Sequence, residues 1–147
     1  MTTGEREDPY LAFNFVVREK GEAIAGFTEV TGLQAEMEVQ EYREGGQNDY
    51  IHRLAGPARY PSNLVFKRGL ADGDKLWSWY QAAVTGPAGS QRKALSIVLQ
   101  DTAGAAVWTW NVTDALPVKW LGPDLRANAS EVAVESLELV HRGISKA

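Results

Sequence analysis

The sequence predicts a mainly β domain, an antiparallel β-sandwich or barrel with one flanking helix. Three observations carry this. Apolar and polar residues alternate through most segments, the period of a strand with one buried face. One stretch alone, about residues 72–86, has clear helical spacing. The 147 residues suit a single domain with one core, and no repeat, low-complexity stretch or boundary divides them.

The elements follow in order. "LAFNFVV" places Leu11, Phe13, Phe15 and Val17 on one side, and Gly21 ends that strand. "AIAGFTEVTGL" reads as a second strand, interrupted at Gly26 by a candidate bulge. "LQAEMEVQEY" alternates strictly. Gln34, Glu36, Glu38 and Gln40 share a polar face that should meet water, and Ala35, Met37 and Val39 should turn to the core. Residues 43–60 then form a long extended loop without a clear period, a length usually kept for function. "NLVFKRG" restores the strand pattern.

In "DGDKLWSWYQAAVTGP", Asp72 caps a helix and Asp74 suits the dipole of its first turn. Leu76, Trp79, Tyr80 and Ala83 fall at i, i+3, i+4 and i+7, the stripe expected to face the core, and Gly86-Pro87 stops the helix. "KALSIVLQD" and "AAVWTWNVT" are strands joined through the turn "DTAG". Leu95, Ile97 and Leu99 share one face of the first; Trp108, Trp110 and Val112 share one face of the second. "PVKWLGP" is a short extended segment, and "SEVAVESLELVHRG" is a final strand long enough to need a twist or bulge. The count is about eight strands and one helix.

Composition narrows the function classes. The net charge of −4 and pI near 5.2 disfavour specific nucleic-acid recognition. With no cysteine, disulfides and thiolate chemistry are excluded. "MTTGEREDPY" has no apolar core of a signal peptide, and no apolar run reaches the ~20 residues of a membrane helix. The expectation is synthesis in the cytoplasm and no membrane insertion. The sequons at Asn111 and Asn128 read as chance matches. Five Trp and five Tyr are many for this length, and aromatics are enriched at interfaces.

No catalytic constellation emerges. His52 and His141 lack partners at metal-ligand spacing and read as polar surface or interface residues. "GPAGSQRK" lacks the ending of a phosphate loop and follows a helix where such a loop precedes one, so it reads as a turn. Glu36 and Glu38 lie on one side of one strand, about 7 Å apart, whereas glycosidase carboxylates flank their substrate. The expectation is a protein that is not an enzyme, with no metal and no cofactor.

Taken together, "DPYLAFNFVV", "AGFTEVTGL", "EYREGGQNDYIHRLAGPARYPSNLVFKRG", "LWSWY", "PVKWLGPDL" and "EVAVESLELVHRG" resemble successive blocks of the phage tail tube protein family. The branch they resemble is the inner tube subunit of contractile tails and contractile injection systems. "LAG" stands where the family often has Leu-Pro-Gly, and "DALPVKW" replaces a commoner variant.

The resemblance implies a homo-hexameric ring that stacks into a hollow tube inside a contractile sheath. Baseplate and tube-initiator or cap proteins would bound the tube, and tape-measure or effector cargo would fill its lumen. The particle would be a phage tail or an injection system, released or cytosolic. The segment 43–60 becomes an arm reaching a neighbouring subunit or ring. Arg43 belongs to it, Gly45 and Gly46 launch it, and Tyr50, Ile51, Leu54 and Tyr60 anchor it. Gln34, Glu36, Glu38 and Gln40 become lumen-facing. The alternative is a monomeric, non-catalytic β-sandwich module that binds carbohydrate through its tryptophans.

Overall fold

The computed structural model describes residues 14–24, 26–42, 52–70, 73–128 and 130–147. Leu11, Phe13 and Asp72 of the sequence reading fall outside them. In chain order the elements are β1 (Phe15–Glu19), β2 (Glu22–Ile24), β3 (Phe27–Thr31), β4 (Glu36–Tyr42), β5 (His52–Arg59) and β6 (Leu64–Gly69). Then come α1 (Lys75–Thr85), β7 (Lys93–Gln100), β8 (Ala106–Leu121), β9 (Val134–Val140) and β10 (Gly143–Lys146).

Eight strands form one antiparallel sheet with the order β2-β1-β7-β8-β9-β6-β3, and β10 pairs with β8 beside that path. β2 and β3 stand at opposite ends of the path, yet only residues 25 and 26 separate them in the chain. Three peptide units span at most about 11 Å. The sheet must therefore curl until its ends nearly meet, which is the physical content of the barrel expectation. Gly26, with φ +88°, takes the left-handed backbone at that crossing. What reads as one interrupted strand in "AIAGFTEVTGL" is thus two strands on opposite edges.

β8 joins the two halves of the sheet. Its first part pairs with β7 on one side and β10 on the other; its last part pairs with β9. The change of partner falls at Asp114, whose φ of 52° puts a non-glycine residue in left-handed backbone. Asp is one of the few residues that visits this region. Arg92 donates to the Asp114 carbonyl at 2.8 Å, and Arg142 pairs with its carboxylate at 3.2 Å. Opposite this bend, the final strand of the sequence reading breaks into β9 and β10 at His141-Arg142.

Both halves send side chains into one core. Val17, Leu95, Ile97 and Val112 come from one half, and Leu64, Phe66, Leu137 and Leu139 from the other. Leu76 and Trp79 of α1 complete it, with Tyr80 packed alongside. Trp79 also donates its indole N–H to the Gln91 carbonyl at 2.8 Å. Its polar tip is satisfied while its ring is buried. Ala83 is half-buried. The helix begins at Lys75, later than expected, with Asp74 as N-cap rather than in the first turn and no side-chain capping bond. The Asp74 carbonyl accepts from Ser78 N–H at 2.7 Å, the first intrahelical bond.

Candidate assembly surfaces

Among the described residues, β4 and β5 pair only with each other, as a two-stranded antiparallel sheet apart from the eight-stranded one. Half of the expected long loop is therefore a strand. Its period is hard to see because "HRLAGPAR" is interrupted by a bulge. Met37 pairs with Ala58 and Val39 with Ala55, so Gly56 and Pro57 together oppose Glu38. A Cβ on Gly56 would come 2.5 Å from the Glu38 carbonyl oxygen, so this close approach admits only glycine. Pro57, without an N–H, suits the unpaired position beside it.

The extra residue lies on β5, so β4 keeps its alternation. Glu36, Glu38 and Gln40 share one face, with Arg59 and Leu54 opposite Glu36 and Gln40. Arg59 and Glu36 form an ion pair at 2.7 Å, so the face is not uniformly acidic. Gln34 lies before the strand, where its side-chain carbonyl accepts from Ser62. On the other face, Met37 and Val39 are each 57% exposed. They do not enter the core, contrary to the sequence expectation, and Ala35 is exposed too. The alternation holds, but among the described residues no second layer stands behind this hairpin. Leu54 is 51% exposed.

The hairpin base is tied to the body. Tyr60 lies one residue past β5. It turns back onto His141, ring centroids 5.2 Å apart and planes at 61°. His141 is half-buried rather than a surface residue. Arg43, Gly45, Gly46, Tyr50 and Ile51 lie outside the described residues. Of the arm residues, then, the structure places Leu54 on the exposed strand and Tyr60 at its foot.

Two apolar surfaces were missed in the sequence reading. Leu121, Leu125 and Val132 are 51, 84 and 77% exposed around a groove of about 620 Å³. On α1, Trp77 and Val84, seven residues apart, are exposed beside the buried stripe. Trp77 also stacks edge-on against Trp120 at 4.9 Å. The only sequence signals were apolar residues inside turn-like segments and a helix apolar over more than one face. Among the described residues, no cluster of three or more His, Asp or Glu is placed to hold a metal. No helix among them is long and apolar enough to cross a membrane.

Residues 11–145 match the family of the T4-like virus tail tube protein gp19. The chain belongs to this family. No curated protein sequence matches it. Among solved structures it is similar to a chain of the sheath–tube complex of PVC, an extracellular contractile injection system in its extended state. The identity is 26% and the TM-score 0.84, over 96% of this chain and 93% of that one. It is likewise similar to a chain of the anti-feeding prophage baseplate, 26% identical with TM-score 0.81 over 97% of each chain. A chain of the anti-feeding prophage cap shares the fold, 23% identical with TM-score 0.86 over 99% of this chain and 95% of that one.

Proposed function

We propose that the chain is the repeating inner-tube subunit of a contractile injection system. The observation that carries this is the tail-tube family match over residues 11–145. Similarity to chains of a sheath–tube complex and of a six-fold symmetrised baseplate supports a hexameric ring that works with sheath and baseplate. The role is structural rather than enzymatic.

The geometry supplies a physical reason to assemble. An isolated two-stranded hairpin is marginal in water. This one leaves Met37 and Val39 exposed on one face and, among the described residues, the outer edges of both strands unpaired. Contact with another copy would cover them, and cyclic symmetry lets such head-to-tail contacts close. The hairpin is the arm of this reading. The face of Glu36, Glu38 and Gln40 lines the lumen, where cargo passes.

Removing the gene from a producing cell and imaging its contractile particles tests the assignment. Sheath-containing particles should be lost, or should lack an inner tube. Particles with an intact tube would assign the role to another protein.

A further inference from the structure

His141 sits at the break between β9 and β10, opposite the bend of β8, and holds the foot of the hairpin through Tyr60. The Gly143 N–H donates to its Nδ1 at 3.1 Å. That nitrogen must keep its lone pair, so the imidazole is neutral with its proton on Nε2. Nε2 is buried and has no hydrogen-bond partner among the described residues. A Cβ on Gly143 would lie 3.3 Å from the Tyr60 hydroxyl oxygen, so the Tyr60 ring rests on this same corner.

We infer that His141 is a proton-operated latch, which fixes the hairpin to the body when neutral and releases it when protonated.

The steps are local. A second proton must go to Nδ1, where it meets the Gly143 N–H donor to donor. A half-turn of the ring offers no remedy, because it sets Cδ2–H against the Gly143 N–H, which then loses its acceptor, and leaves the cation in the same buried corner. The ring must leave its seat, and Tyr60 loses the surface it packs on. The surrounding charges give the cation little help. On its own turn Arg142 carries the same sign, and its partner Asp114 on β8 is already engaged by that guanidinium. On the β6 side, the Glu138 carboxylate accepts from Asn63.

Burial lowers the His141 pKa below its ordinary value of 6.5. The sign follows. The unfolded chain binds this proton more readily than the folded corner does. The stabilisation is therefore complete above pH 6.5 and declines as pH falls below it.

The test is hydrogen exchange on the full chain from pH 7.5 to 4.5, corrected for intrinsic rates, with His141→Asn as comparison. An Asn side-chain oxygen can accept from the N–H two residues on, as in an Asx-turn, and does not titrate. In the wild type, protection of β4 and β5 should fall about tenfold for each unit of pKa depression traversed, while β7 stays protected. In His141→Asn the hairpin should hold. Parallel loss in both proteins, or no loss in the wild type, would overturn the latch. If the variant fails to fold, the wild-type imidazole signals decide by NMR. His141 should titrate below pH 6.5, with the Tyr60 ring shifting at the same midpoint. A higher midpoint, or a silent Tyr60, contradicts the latch. All readouts concern one subunit, so their failure leaves the tube assignment standing.

Discussion

Glu36 and Arg59 face each other across the base of the β4–β5 hairpin and pair at 2.7 Å. They stand beside the Gln34–Ser62 hydrogen bond, so polar contacts clamp the two chains where they leave the body. The same pair places a positive charge within a face that the β4 sequence alone presents as acidic. Glu38 is then the less compensated carboxylate of the two.

Changing Glu36 and Glu38 together to Gln should spare assembly. The Glu36–Arg59 pair is exposed, and such pairs contribute only about 0–1 kcal/mol. Cargo loading should change, and added salt should diminish the difference, because exposed charges are screened beyond about 8–10 Å. Equal loading by both proteins at low salt would place this face away from the lumen.

Trp79→Ala should destabilise the fold by about 3–5 kcal/mol, since it empties a core site and leaves the Gln91 carbonyl without its donor. Trp79→Phe should cost less. Denaturant unfolding measures both, and a loss under ~1 kcal/mol for the alanine variant would contradict the packing described.

Arg68 and Glu135 form the most buried ion pair described, at 2.8 Å with side chains 14 and 4% exposed. Removing one partner strands the other charge. Arg68→Met or Glu135→Leu alone should cost about 3–5 kcal/mol, and the double variant should recover most of it. A double-mutant cycle gives the coupling directly. Additive losses would mean that the pair does not act as one unit.

Much of the fold is legible in the sequence because alternation and helical spacing report burial directly. Val17, Leu95, Ile97 and Val112 declare the inner face, and Leu76 and Trp79 declare the helix stripe. β5 is hidden because Gly56 and Pro57 break its period in order to satisfy a bulge. Met37 and Val39 mislead for another reason. Alternation shows which residues share a face, but not whether another layer covers it. The Tyr60–His141 contact joins residues 81 positions apart, and neither residue carries a motif that announces it.

Replacing residues 36–59 by a short flexible linker removes both hairpin strands together. The eight-stranded sheet should still fold, since β4 and β5 contribute no ladder to it. Rings should no longer stack. Circular dichroism and electron microscopy of the shortened protein check the two halves of this expectation, and tubes of normal length would remove the hairpin from the contact.

The central claim is that the chain assembles with its own copies. Mass measurement and negative-stain imaging of the purified protein, over a range of concentration and salt, address it most directly. Six-membered rings, alone or stacked into tubes, are the predicted result. A monomer that persists at high concentration under every condition would contradict it.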